Sequence, residues 1–309
     1  MRYQYLDIKI LDVVSFLRAK GLRAPGGEQG KQKGWDMWDA GQYLRYGGER
    51  SRPFFDLIAQ VGAINPEYVA DLGCGPGNLT AALARRWPGA VVVGVDNSPE
   101  MIAAATETAT ETASGAAAPG ASGSASLTFQ LGDVWDWRPA RPVDVLVCNA
   151  VLQWVPGHQE LLLNWADLLA PGGWLAFQLP GNFDQPSHAI VSELAQSPRW
   201  RALLSAVRLN RQAGNPADYV ELLARPGYRV DAWETSYLHI LHGENPVLEW
   251  TKGSTLRPVL AALDAEQAGA FVREYGERLS GVYHPESFGT LFPFRRVFTV
   301  VHRADLGQD

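Results

Sequence analysis

The sequence predicts a doubly wound α/β fold, a mostly parallel sheet with helices on both faces and a helical cap. Three observations predict it. From Tyr68 onward, short apolar runs alternate with stretches of helical spacing. The runs, VDVLV among them, are apolar at almost every position, as parallel strands buried on both faces are. A glycine-rich turn, Gly73-Cys74-Gly75-Pro76-Gly77, joins the first run to the first helix after it.

Taken in order, YVADLG is a strand, and GNLTAALARRW is a helix with Leu79, Leu83 and Trp87 on one side. AVVVGVDN is the second strand. SPEMIAAATE opens a helix with Ser98 as N-cap and Pro99 at the first helical position. LTFQLGD and VDVLVCNA are strands, HQELLLNWADLLA is an amphipathic helix ended by PGG, and WLAFQLP is a further strand. SHAIVSELAQ and PADYVELLA are helical, while YRVDAWETSYLHIL and RRVFTVVHR are strands. Residues 183–224 and 246–279 are the expected cap over the sheet. The Ala-, Ser-, Thr- and Gly-rich stretch 106–126 is expected to be a mobile surface insertion, since it offers little to pack. Residues 1–34 form an extension: a short amphipathic helix with Ile10, Val13, Val14 and Leu17, then a linker, with Met37 an alternative start. The main domain is 35–309.

The 309 residues have 46% hydrophobic content, enough for a full core, and a formal net charge of -6. That charge, without a long basic run, argues against nucleic acid and anionic membranes as partners. No stretch reaches the ~18 apolar residues of a membrane span, and the apolar N-terminal stretch is interrupted by Asp7, Lys9 and Asp12. Two cysteines, Cys74 and Cys148, are too few for a disulfide framework and lie outside metal-ligand spacing, so a reducing cytoplasm is the expected setting. His239 and His242 lack the carboxylate that a zinc site would add, and no metal is expected. Ser187 and His188 adjoin without a nucleophile-elbow motif, which argues against a hydrolase. No obligate protein partner is evident.

The turn reads Asp71-Leu72-Gly73-Cys74-Gly75-Pro76-Gly77-Asn78. A dinucleotide fingerprint, G-x-G-x-x-G, would need glycine where Asn78 stands, so a pyrophosphate is poorly matched and a nicotinamide-dependent oxidoreductase is disfavoured. Asp71, just before the turn, would repel phosphate but suits a ligand carrying an ammonium and a sulfonium. Asp96 ends the second strand, where an acid can bond both ribose hydroxyls, and Asp133 follows the third, where it can accept from an adenine amino group. Each acid alone is an ordinary strand-end cap. Three at successive strand ends, around a glycine turn, point to one ligand crevice.

The segments DLGCGPGN, VDNSPEM, LGDVWDW, VCNAVLQWV and LLAPGGWLAFQLP together resemble the class I S-adenosylmethionine-dependent methyltransferases, from Trp35 to the C-terminus. The resemblance implies a seven-stranded sheet whose last strand is antiparallel, with YRVDAWETSYLHI paired to RRVFTVVHR. It implies S-adenosylmethionine as cofactor, with Asp71, Gly73, Gly75 and Asn78 around its methionine part. Asp96, with Asn97 and Met101 beside it, falls at the adenosine, Asp133 and Val134 at the adenine, and Asn149 near the reacting methyl. WDAGQYLRYGGERSRPFFDL, Gln153-Trp154, PGNFDQPSH and FPFRRVF further resemble members that esterify a carboxylate of a tricarboxylic acid. Residues 1–34 and the insertion at 106–126 depart from that pattern without touching a motif.

Such a reaction needs no catalytic acid or base, because a carboxylate with a pKa of roughly 4 is already ionised. It needs alignment, exclusion of water, and counter-charges for the remaining carboxylates of a small polycarboxylate acceptor. Arginine forks suit that task. The candidates are Arg50, Arg52, Arg257, and one of the adjacent Arg295 and Arg296, which point to opposite sides of a strand. Arg50, Arg257 and Arg295 are the favoured three, with Tyr43 and Trp154 as walls and Trp38 as a further aromatic. Another acid, an acyl thioester's carboxylate or an amine is the alternative acceptor, and a non-catalytic binding protein is the alternative class.

Overall fold

The computed structural model describes residues 47–115, 126–207, 209 and 213–305. Contacts divide the chain between Met37 and Trp38, and every described residue falls in the second unit. Residues 1–34, Trp38, Tyr43, the side chain of Arg50, and residues 116–125 of the expected insertion lie outside the described residues.

The helices are α1 (Gly47–Ile58), α2 (Asn78–Arg86), α3 (Pro99–Gly115), α4 (His158–Asp167), α5 (Pro186–Gln196), α6 (Pro216–Leu223), α7 (Pro246–Lys252), α8 (Arg257–Ala261) and α9 (Ala265–Ser280). The strands are β1 (Tyr68–Leu72), β2 (Val91–Asp96), β3 (Ser126–Leu131), β4 (Val143–Asn149), β5 (Leu169–Pro180), β6 (Tyr228–Leu241), β7 (Pro285–Glu286) and β8 (Gly289–Arg303). They form one sheet in the order β3-β2-β1-β4-β5-β8-β6, the short β7 pairing with the start of β8. The first five strands pair in parallel. β8 runs antiparallel to β5 and to β6, and the β6–β8 register extends from Tyr228↔Arg303 to Leu241↔Thr290. The expected seven-stranded sheet with its antiparallel last strand is present, and β7 is the addition.

Strand alternation sorts the core into two layers. Ala70, Leu72, Val95, Cys148, Phe177, Leu179 and Val297 face α4 and α6. Val69, Val92, Val147, Ala176 and Phe298 face α1 and α2, whose Phe54, Leu57 and Leu83 pack on them. A third cluster joins α5, α7 and α9 to the far end of the β6–β8 ribbon through Trp200, Trp250, Phe271, Tyr275, Phe292 and Phe294. That cluster gathers α5, α7 and α9 from the segments expected to form the cap. Within the expected cap segment 183–224, α6 stands apart, because Tyr219 and Leu223 are fully buried in the first layer beneath the sheet.

Two local outcomes follow from sequence. Ser98 caps α3, its Oγ accepting from the Met101 amide at 3.2 Å, as the SP dipeptide predicts. The helix then continues to Gly115, into the stretch expected to be mobile, because Ala, Thr and Glu run there with neither proline nor glycine before its end. Among the described residues no helix is long and apolar enough to cross a membrane.

Candidate active site

The sheet order reverses at β1, with β2 on one side and β4 on the other, so ligands are expected beyond the carboxyl ends of these strands. Alternation places Asp71, Asp96, Asn149, Gln178 and Arg296 on the α1/α2 face at those ends: each is an even number of residues from Val69, Val92, Val147, Ala176 or Phe298 of that layer.

The β1–α2 turn is built from three residues in the left-handed region, Gly73 (φ 77), Gly75 (φ 55) and Gly77 (φ 79). Gly73 has a second constraint: a Cβ there would lie 2.1 Å from the Val151 methyl. At Gly75 a Cβ would meet nothing within 4 Å, so the turn presents bare backbone on an open side. The turn is tied to β2 by the Gly73 and Cys74 amides, which donate to the Val95 carbonyl at 2.7 and 3.0 Å. It is tied again by the Gly75 amide, which donates to Asp96 Oδ2 at 2.9 Å. The other carboxylate oxygen of Asp96 accepts from the Ser98 amide at 2.9 Å. Asp96 is thereby aimed rather than swinging, with lone pairs left on both oxygens.

Asp71 is 2% exposed and accepts a 2.7 Å hydrogen bond from Thr80 Oγ1. Burial pushes its carboxyl up to about 6; the Thr80 bond opposes that rise and the charge of Asp96 adds to it. Burial, with the charges of Asp71 and Asp96, pushes the neighbouring Cys74 thiol up, so it stays protonated at neutral pH. Asp133 is exposed and its Oδ1 accepts from the Trp135 amide at 2.9 Å. Val134 is buried in the first layer, leaving its backbone rather than its side chain for a ligand. Asn78, at the start of α2, and Asn97 are exposed, and Met101 is half-buried.

Beyond β4 the chain turns sharply. Ala150 takes φ 58, unusual for a residue with a side chain, and is held by its amide's bond to the Gln178 carbonyl at 2.9 Å. Gln153 Nε2 donates to the Ala150 carbonyl at 2.6 Å. Among the described residues the buried Gln153 Oε1 atom has no hydrogen-bond partner, and neither has Asn182 Oδ1 just past β5. Orphaned acceptors at the ligand end of a sheet are what a bound ammonium or hydroxyl would satisfy. The bare backbone at Gly75, the aimed Asp96, the buried anion of Asp71 and these two acceptors fit a cationic adenosyl ligand.

On the acceptor side, Gln178 is fully buried. Its Nε2 donates to Asn149 Oδ1 at 2.5 Å, and its Oε1 accepts from an Arg296 Nη atom at 3.2 Å. Of the arginine doublet, Arg295 points to the opposite side. It is held by Glu234, the Gly181 carbonyl (2.8 Å) and Asn215 (3.0 Å), and so cross-links β8 to β6 and the β5 end instead of facing the crevice. Arg257 is exposed at the start of α8, two residues past Thr255, whose hydroxyl meets His188 Nε2 at 3.0 Å. Trp154 is 46% exposed on the short 3-10 turn Leu152–Trp154, beside the crevice. Arg52, from α1, lies over the Tyr237 ring at 5.1 Å, and the Tyr237 hydroxyl donates to Asp56 at 2.7 Å.

Three residues of this arrangement escape a reading by motif: Thr80, Gln178 and Tyr237. Each left a faint signal. Thr80 and Gln178 are polar interruptions in apolar runs, and Tyr237 shares the sheet face of Arg296. None of these signals reveals its partner.

A methyltransferase-domain profile matches residues 69–173, from β1 into β5. The chain is 51% identical to the trans-aconitate 2-methyltransferase of Streptomyces avermitilis over 86% of this chain and 97% of that protein. It is 48% identical to the enzyme of the same name from Streptomyces coelicolor, with 87% of each chain covered. For that from Mycobacterium tuberculosis the identity is 46%, over 85% of this chain and 96% of the relative. Among solved structures the YcgJ protein of Bacillus subtilis superposes with a TM-score of 0.52 at 13% identity, covering 82% of this chain and 98% of that one, a likeness of fold alone. Identity at this level, with the donor motifs in place on the sheet they require, means that the chain belongs to the trans-aconitate 2-methyltransferase family of class I S-adenosylmethionine-dependent methyltransferases.

Proposed function

We propose that this protein esterifies a carboxylate of trans-aconitate or a closely similar small polycarboxylic acid. When bound, S-adenosylmethionine supplies an activated methyl carbon: a carboxylate lone pair forms the new O–C bond, the S–C pair stays on sulfur, and no proton changes hands.

The observation that carries the reading is the character of the strand ends between donor and acceptor. β4 ends in Asn149, β5 carries Gln178 and Asn182 follows just past it, all amides that do not titrate. His188 beside Asn182 has its Nδ1 at 3.3 Å from Ser187 Oγ and its Nε2 engaged with Thr255. A site lined this way suits a nucleophile that arrives ionised, which a carboxylate does and an ammonium does not. The chain's contribution is to hold and align, and such positioning can supply about 7–11 kcal/mol of the barrier reduction. Asp71 and Asp96 favour the donor's positive charge, and the Asn149–Gln178 pair fixes the floor between the two ligands. The names borne by the relatives supply the acceptor class. A cytoplasmic setting is in keeping with two buried free thiols, Cys74 and Cys148.

The test is a panel of organic acids incubated with the protein and methyl-labelled donor, read by mass and by base lability of the product. A base-labile methyl ester on trans-aconitate is the expected result. Absence of any ester on di- and tricarboxylates, or a base-stable N-methyl product, overturns the reading.

A further inference from the structure

We propose that Arg296 is the specificity-determining residue of the acceptor site, binding a carboxylate of the acceptor other than the one methylated. The assignment rests on the polycarboxylate reading above and adds the residue that enforces it.

Charge is sorted along one face of the strand ends. Asp96 on β2 and Asp71 on β1 are acids, Asn149 on β4 and Gln178 on β5 are amides, and Arg296 on β8 is a cation. A donor that carries positive charge and an acceptor that carries several negative charges are thus each offered the opposite sign. The two ends are separated by a neutral strip in which the reacting atoms can meet. Register makes the path continuous: Asn149 pairs with Gln178 across β4–β5, and Pro180, two residues on, pairs with Arg296 across β5–β8.

Arg296 is 7% exposed. Its contacts include the Gln178 amide oxygen and the face of Phe294, 4.7 Å from the guanidinium carbon. These contacts orient the side chain. The guanidinium carbon lies over the Phe294 ring, and the Gln178 oxygen takes one N–H of the rim. Gln178 cannot turn over without placing its NH2 against the cation and losing Asn149, so the amide keeps its oxygen on Arg296. Tyr237, whose hydroxyl is spent on Asp56, is near enough for Arg296 to influence its ionisation. Arg296 therefore sits among aromatic walls in a low-dielectric position, where an ionic contact with an acceptor is strongest.

A purely structural role for Arg296 makes a different forecast, and kinetics separate the two. Replacing Arg296 with Met should raise the KM for a tricarboxylate about 10–100-fold, the usual cost of a lost charged hydrogen-bond pair, with donor affinity unchanged by calorimetry. The preference for a tricarboxylate over a monocarboxylate should collapse. Arg296→Lys, which keeps the charge but not the fork, should fall between. If Arg296→Met does not fold, Arg296→Lys against wild type decides by the same ratio. Equal discrimination among tri-, di- and monocarboxylates in wild type and in Arg296→Lys overturns the assignment. Should the wild type make no ester of trans-aconitate, the proposed function fails by itself. Arg296 is then judged by calorimetry with propane-1,2,3-tricarboxylate in the presence of S-adenosylhomocysteine: weaker binding in Arg296→Lys supports the assignment, and equal binding or none to either protein overturns it.

Discussion

The β1–β3 ends and the β4–β8 ends, the proposed donor and acceptor halves of the site, are built in opposite ways. The donor half is made of neighbours in sequence and of backbone: Thr80 bonds Asp71 nine residues away, Gly75 bonds Asp96 over 21, and Asp96 bonds Ser98 two residues on. The acceptor half is made of side chains drawn from across the chain: Gln178 to Asn149 spans 29 residues, Arg296 to Gln178 spans 118, and Tyr237 to Asp56 spans 181. A half built from local backbone can be kept while the other changes, so acceptor choice can diverge over a constant donor seat. That separation is open to attack from both sides.

The harshest test is Gly73→Ala. The added Cβ would meet the Val151 methyl at 2.1 Å while the backbone stays at φ 77. Strain and overpacking together should cost about 2–5 kcal/mol and abolish measurable donor binding. Calorimetry with S-adenosylhomocysteine and a thermal melt would show both. Retained donor affinity would mean that the turn does not form the donor seat.

Asp71 offers a test with opposite signs in stability and in binding. Its carboxyl is lifted from 3.8 to about 6, so the fold favours the neutral form. That contribution to stability is complete below about pH 4 and is lost as pH rises through 6. Asp71→Asn, which removes the buried charge, should therefore stabilise the apoprotein at pH 8, by up to about 3 kcal/mol at roughly 1.36 kcal/mol per pKa unit. The same change should weaken donor binding, because the anion is what suits the donor's charge. In wild type, donor affinity should fall as pH drops through 6. A melt series from pH 4 to 8 and donor titrations at both ends check each sign, and destabilisation of Asp71→Asn at pH 8 would refute the account.

The gentlest test sharpens the contrast inside the arginine doublet. Arg295→Ala removes bonds to Glu234, Gly181 and Asn215, and should cost about 1–3 kcal/mol of stability. Acceptor KM should stay within about threefold, because the side chain is turned from the crevice. A large KM change would move the acceptor site to the other face of β8.

The same division explains what could be read from the residues alone. Asp71, the three glycines and Asp96 are legible because the chemistry of a strand–turn–helix is local, and so is the capped start of α3. Arg295 is the member of the doublet favoured from the residues, and the structure turns it to Glu234, Gly181 and Asn215 instead, because alternation says that two neighbours diverge but not which one faces the ligand. Gln178 and Tyr237 are invisible as partners, since contacts that span 118 and 181 residues leave no mark in either segment. α6 was assigned to the cap for the same reason: its amphipathic pattern says that a face is buried, not which layer receives it.

One consequence lies in the reach of the β6–β8 ribbon. β5 accompanies β8 only as far as Pro180↔Arg296, whereas β6 accompanies it on to Leu241↔Thr290, where Phe292 and Phe294 sit within the third cluster. The ribbon is a cantilever, clamped along the sheet and loaded at its free end, and a loaded cantilever flexes most where the clamp stops. Arg296 occupies that fulcrum. It sits where the sheet narrows to the two-stranded ribbon that carries Phe292 and Phe294.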